Sequence, residues 1–259
     1  MNRITQIQAR SVLTAQESKS SLPYDYTINP YRGCLFGCSY CYASRFVHED
    51  AEKKADWGMW VEVKTNAVDA LQRESHKLFG KSIFLASATD PYQPVERRLG
   101  LTRALLEVVL MAFPAHVHIQ TRSPMVVRDI DMFQRFGDSL TVGLSLPTDS
   151  DVVRRVFEPR APAIFRRLRA ADALRTAGIR TTASIAPLLP CTPDRLARVV
   201  ARHFDHYWID KMNHYDKAEQ LTALYAAHGW QRYIGDDHLA EVVQALKSAF
   251  TSESRGSER

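Results

Sequence analysis

The chain has 259 residues, 45% of them hydrophobic, with 34 Lys and Arg against 29 Asp and Glu for a net charge of +5. That length and composition suit one large globular domain and exclude a disulfide-dense miniprotein or a highly charged disordered chain. The basic excess is modest, so it permits an anionic partner without demanding one.

Residues 1–22 begin with MNRITQIQAR and run into the polar, serine-rich RSVLTAQESKSSL, which predicts a mobile N-terminal segment without the apolar stretch of a signal peptide. No run of apolar residues is long enough to span a membrane, so the expectation is a soluble cytoplasmic protein. A single domain is expected over 23–250, followed by a disordered tail, TSESRGSER, over 251–259.

Within that domain, short segments rich in β-branched residues alternate with stretches of helical period. The predicted strands are Tyr26–Asn29, Ser82–Ser87, His116–Thr121, Leu140–Leu146, Thr181–Ala186 and Tyr207–Lys211, with a short extra strand at Val61–Val63. Helices are predicted over Thr65–Phe79, Gly100–Phe113, Val126–Phe136, Pro162–Ala177, Pro193–His203 and Leu239–Phe250. About six βα repeats of this kind give an α/β fold, a partial, three-quarter TIM-type barrel with a parallel sheet and outer helices. Functional residues then belong on the loops after the C-terminal strand ends.

The first such loop, NPYRGCLFGCSYCYAS at 29–44, holds Cys34, Cys38 and Cys41, three of the four cysteines in the chain. Thiols this close in a chain with no disulfide framework point to metal ligation. Gly33 and Gly37 give the backbone the freedom to wrap a compact centre. Three thiolates could hold zinc with His48 or Cys191 as a fourth ligand, or three irons of a 4Fe-4S cluster whose fourth iron stays open.

The Cys-x3-Cys-x2-Cys spacing, with the aromatic Tyr40 just before its last cysteine, resembles the signature of radical S-adenosylmethionine enzymes. Together with VEVKTNA, TDPYQPVE and EPRAP, it is similar to the branch that includes spore photoproduct lyase and DNA-repair-photolyase-like proteins. The resemblance implies a 4Fe-4S cluster on Cys34, Cys38 and Cys41 whose open iron binds S-adenosylmethionine, with Tyr40 beside them. It implies reductive cleavage of that cofactor, hydrogen abstraction from a substrate by the resulting 5'-deoxyadenosyl radical, and a reductant such as flavodoxin or ferredoxin.

By the same resemblance, Thr89 and Asp90 stand where polar groups receive the methionine amino group, and Tyr92, Gln93 and Glu96 extend that loop, Gln93 toward the cofactor and Tyr92 as a catalytic candidate. Lys64 and Asn66 could contact the cofactor carboxylate or the cluster, and Ser145 the ribose hydroxyls. Arg167 lies at the edge of an apolar helix face formed by Ile164, Leu168, Ala171 and Leu174, so it should point inward and pair with the cofactor carboxylate, whereas Arg166 and Arg169 face solvent. Glu158 lies in the same arginine-rich region.

Spore photoproduct lyase carries a hydrogen-donating cysteine in the loop matching LASATDP, where this chain has Ser87, Ala88 and Thr89. Cys191, after the fifth main strand, is the alternative radical quencher. Eleven arginines between Val152 and Arg202, with His206, Tyr207, Trp208 and His214 nearby, could hold a nucleic-acid strand. A small molecule or a peptide is the other substrate class, and Asn213, His214 and Tyr215 would line the substrate mouth. A nucleic-acid lyase and a non-catalytic, zinc-stabilised nucleic-acid-binding module are the alternative functions.

Overall fold

The computed structural model describes residues 3–17, 23–47, 51–212 and 217–256. The described residues form the strands β1 (Arg3–Ile7), β2 (Leu13–Ala15), β3 (Tyr26–Ile28), β4 (Tyr31–Arg32), β5 (Trp60–Lys64), β6 (Ser82–Leu85), β7 (His116–Thr121), β8 (Leu140–Ser145), β9 (Arg180–Ile185) and β10 (His206–Ile209). The helices are α1 (Ala51–Ala55), α2 (Ala67–Glu74), α3 (Glu96–Leu99), α4 (Leu101–Met111), α5 (Ile130–Phe136), α6 (Asp151–Phe157), α7 (Ile164–Thr176), α8 (Pro193–His203), α9 (Ala218–Ala227) and α10 (Asp236–Gly256).

The main sheet runs β10-β9-β8-β7-β6-β3-β2, and every pair from β3 to β10 is parallel. These six parallel strands are the six predicted from β-branched composition, in chain order across the sheet. The connections between these strands carry helices, so strands consecutive in this run lie side by side. This is the partial TIM-type barrel that the repeat count implies.

Register separates the two faces of the sheet. Ile28, Leu85, Ile119, Val142, Leu144, Ala183 and Ile185 share one face and are buried in the main apolar core against the helices. The residues between them, Thr27, Phe84, His118, Gln120, Gly143, Ser145 and Ser184, form the other, mostly polar face. Gly143 is required there, because a Cβ would stand 2.3 Å from Gln120 Oε1 and 2.6 Å from His118 Nε2.

The N-terminal residues depart from the expected mobile segment. β1 lies parallel to β5 from Arg3↔Trp60 to Ile7↔Lys64, and β2 covers the outer edge of β3 in antiparallel register. With β4 antiparallel to β5, β1 and β5 make a second, three-stranded sheet. Backbone pairing, which composition does not report, orders these polar strands. The C-terminal helix likewise continues past the expected Phe250 end to Gly256.

Two helices are shorter than their hydrophobic period suggests. The segment starting at Val126 begins as a 3-10 turn over Pro124–Asp129, capped by Ser123 accepting from the Met125 N–H at 3.3 Å, before α5 takes over. The segment from Thr65 starts as α2 only at Ala67, because the Asn66 side chain pairs with both backbone groups of Ala9 at 2.8 and 2.9 Å. Gly178, at φ +79°, follows α7, and Pro193 opens α8. Among the described residues no helix is long and apolar enough to cross a membrane.

Candidate metal and cofactor centre

The cysteine loop leaves β4 and is pressed against the segment before β5. Gly33 has φ +80°, and a Cβ there would stand 2.6 Å from the Trp60 ring. Gly37 has φ +60° and faces Gly58, where a Cβ would come within 2.6 Å of the Gly37 Cα. Only glycine fits this close backbone crossing. The loop after β6 holds the other side: Thr89 Oγ1 donates to the Gly33 carbonyl at 2.6 Å, and Gln93 Oε1 accepts from the Leu35 N–H at 3.0 Å. Gln93 Nε2 also donates to Thr89 Oγ1 at 3.0 Å, so the two predicted residues act together on the loop backbone.

All four cysteines are free; Cys34 and Cys38 are buried and Cys41 is half-buried. Burial pushes the Cys38 thiol up to about 12, with Arg122 opposing, and it raises Cys34 and Cys41 as well. Neutral thiols are the favoured state of such a loop until a metal displaces their protons.

Facing the cysteines is Arg122, the residue after β7, which no sequence motif marks. Its guanidinium donates to Cys38 Sγ and lies 3.2 Å from Glu158 Oε1. Glu158 is fully buried, accepts from the Tyr40 hydroxyl and pairs with Arg167. The Arg167 and Arg122 guanidinium groups hold the Glu158 carboxyl below its ordinary range despite its burial. Arg122 itself is fixed through its backbone N–H, which donates to Asp90 Oδ2 at 2.9 Å.

Asp90 is buried and accepts also from Thr121 Oγ1 at 2.6 Å and the Tyr92 N–H at 2.9 Å. Burial raises its pKa, with Arg122 acting in the opposite sense. Ser145, at the end of β8, accepts from Gln120 Nε2 at 3.0 Å, and Ser184 donates to Gln120 Oε1 at 2.7 Å. Thr89, Asp90, Gln93, Ser145 and the three cysteines therefore belong to the same set of C-terminal strand ends and loops.

Three expectations are corrected by placement. Arg167 points inward as predicted, but Nε donates to the Pro162 carbonyl at 3.0 Å, Nη1 to the Ser145 carbonyl at 2.9 Å, and Nη2 to Glu158. It braces the site from behind, and Arg122 is the guanidinium at the thiols. Tyr92 is fully buried and donates to Asp129 at 2.9 Å within a network of Glu96, Arg128 and Tyr31, so it faces the core and not the cysteine loop. Lys64 Nζ donates to the Asn29 carbonyl at 2.8 Å, and Asn29 in turn holds Ser87 and Ala88, so Lys64 supports the loops indirectly.

Cys191 is buried in the main apolar core with its sulfur 3.5 Å from His238 Nε2 of α10. Cys34 and Cys38 pack in a second cluster with Tyr40, Phe157 and Tyr225. His48, Asn213, His214 and Tyr215 lie outside the described residues. Among the described residues, no three His, Cys, Asp or Glu side chains converge on a single-ion site. In a four-iron cluster each of three thiolates binds a different iron. The soft donor set and the glycine-lined cradle fit the cluster.

The arginine run does not form a uniform basic face. Arg154, Arg160, Arg167, Arg175, Arg180 and Arg195, six of the eleven, are engaged with carboxylates or carbonyls of the chain. Arg166 and Arg169 are exposed, as their helical positions predict. Trp208 is 54% exposed on β10, while Tyr207 packs on Phe250 with ring centroids 5.0 Å apart.

The profile of the Radical SAM superfamily matches residues 28–201, a span that starts at the end of β3 and runs into α8. An uncharacterised protein of Methanocaldococcus jannaschii is 36% identical over 165 residues, which are 64% of this chain and 61% of that protein. One of Mycobacterium tuberculosis is 30% identical over 195 residues, 73% of this chain and 57% of that protein. The chain thus spans about three fifths of the length of these curated relatives. Among solved structures, spore photoproduct lyase complexed with dinucleoside spore photoproduct superposes with a TM-score of 0.70 at 16% identity, covering 96% of this chain and 79% of that one. That likeness is one of fold, and with the profile match over two thirds of the residues the chain belongs to the radical SAM superfamily.

Proposed function

We propose that the protein is a radical S-adenosylmethionine enzyme with a 4Fe-4S cluster on Cys34, Cys38 and Cys41. The observation that carries this reading is the meeting of three free thiols on a glycine-lined loop with Arg122, Asp90, Thr89 and Ser145 at one end of the barrel. When bound, the cluster and S-adenosylmethionine supply one-electron cleavage of a carbon–sulfur bond and a 5'-deoxyadenosyl radical that takes hydrogen from the substrate.

The chain's own groups bind and orient. Thr89 and Gln93 fix the cysteine loop through Gly33 and Leu35. Asp90 accepts three hydrogen bonds and retains one acceptor site, which suits the methionine ammonium. Ser145 keeps its own O–H free to donate while accepting from Gln120, which suits a ribose hydroxyl. Buried Tyr40 and Phe157 shield the thiols from water, as oxygen-sensitive radical chemistry requires. The electron comes from an external one-electron reductant of the flavodoxin or ferredoxin type.

Anaerobic reconstitution with iron and sulfide tests this reading. The expected product absorbs broadly in the visible and releases 5'-deoxyadenosine when given S-adenosylmethionine and a reductant. Cys38→Ala should lose the cluster and Cys191→Ala should keep it. A colourless wild-type protein, or full iron content in Cys38→Ala, refutes the assignment.

A further inference from the structure

Glu158 is shared by two guanidinium groups, Arg167 behind it and Arg122 in front. Asp90 accepts from the Arg122 backbone N–H on the other side, so the set is two guanidinium and two carboxylate groups, and its member whose N–H points at Cys38 Sγ is Arg122. We infer that Arg122 sets the electron affinity of a cluster at Cys34, Cys38 and Cys41, and that Glu158 is the positioning residue that aims it; the inference rests on the cluster reading proposed above.

The physical reason is charge. Reduction adds one electron to a buried centre already ligated by three thiolates, and hydrogen bonds and positive charge at the ligand sulfurs favour that state. Arg122 supplies both at once, since its side chain is only 17% exposed and solvent screens it little. Its direction is over-determined: the backbone N–H is held by Asp90 and one guanidinium nitrogen by Glu158. Glu158 cannot turn away, because Tyr40 and the fully buried Arg167 hold its two oxygens. Arg167 is in turn anchored on the Pro162 and Ser145 carbonyls, which ties the aim of Arg122 to the end of β8.

The test is a redox titration of the reconstituted full chain, followed by electron paramagnetic resonance without S-adenosylmethionine. Arg122→Gln is expected to lower the reduced-to-oxidised ratio at fixed potential about tenfold, a shift of ~59 mV to more negative values for one electron. Arg122→Lys keeps the charge but loses the planar fork, so it should shift less and in the same direction. Glu158→Gln should also move the midpoint negative, because Arg122 loses its aim; a purely local charge effect would move it positive. An unchanged midpoint in both Arg122 variants overturns the inference, and a positive or absent shift in Glu158→Gln overturns the positioning role. If Arg122→Gln takes up no iron, Arg122→Lys decides. A wild-type chain that takes up no cluster refutes the proposed function instead.

Discussion

Replacing Glu158 by Ala would strip a fully buried anion from two guanidinium groups and the Tyr40 hydroxyl. The fully buried Arg167 would keep its bonds to the Pro162 and Ser145 carbonyls but lose the Glu158 carboxylate. Breaking a buried ion pair from one side costs roughly 3–5 kcal/mol. The buried Tyr40 hydroxyl would also lose its acceptor, worth about 1–3 kcal/mol before relaxation. Relaxation recovers part of this, which leaves on the order of 5 kcal/mol, a third or more of the stability of an ordinary domain. Urea unfolding of the metal-free chain under reducing conditions, followed by circular dichroism, should show a lower midpoint at unchanged slope. Glu158→Gln keeps one carbonyl oxygen and should lose about half as much. The paired replacement Glu158→Met with Arg167→Met removes both charges and should recover most of the loss. A Glu158→Ala protein within about 1 kcal/mol of wild type refutes the network's importance, as does a paired variant as unstable as the single one.

Two further outcomes follow from the glycine cradle and the inner face. Gly33→Ala places a methyl 2.6 Å from the Trp60 ring at φ +80°, so the chain should retain its far-ultraviolet spectrum but lose iron on reconstitution; full iron content would refute the close-approach argument. Burial, partly offset by the hydrogen bond to Gln120, lowers the His118 pKa to about 4 from an ordinary 6.5. The unfolded chain therefore takes up this proton first: the contribution is complete above 6.5 and is lost as pH falls toward 4, by ~3 kcal/mol. Unfolding free energies of wild type and His118→Gln over that window should diverge in slope, and parallel curves would refute the shift.

The six parallel strands were legible because Val, Ile and Thr crowd them and each is followed by a helical period. β1, with the sequence RITQI, was not, since four of its five residues are exposed and it is ordered by pairing with β5 and by Arg3 on Glu52 and Asp56. The cysteine loop announced itself by spacing. Arg122, in QTRSP, carries no spacing signal at all; the usable clue was its position directly after a predicted strand, where barrel folds place functional groups. Arg167 was correctly turned inward by helical period, but period cannot say which partner an inward guanidinium finds. Tyr92 failed for the opposite reason: its neighbours Thr89 and Gln93 serve the loop, yet the turn of chain at Pro91 delivers the Tyr92 ring to the Asp129 network.

The division of the sheet into an apolar convex face and a polar concave one has a consequence for how such a protein can change. Substitutions on the concave side, at Gln120 or Ser184, leave Val142, Ile119 and Ile185, which carry the packing, untouched. That face can therefore vary one residue at a time while the scaffold stays above its stability threshold. Arg122 is the exception, because it hangs from β7 yet its guanidinium reaches Cys38 on the cysteine loop, so drift there would act on two elements at once.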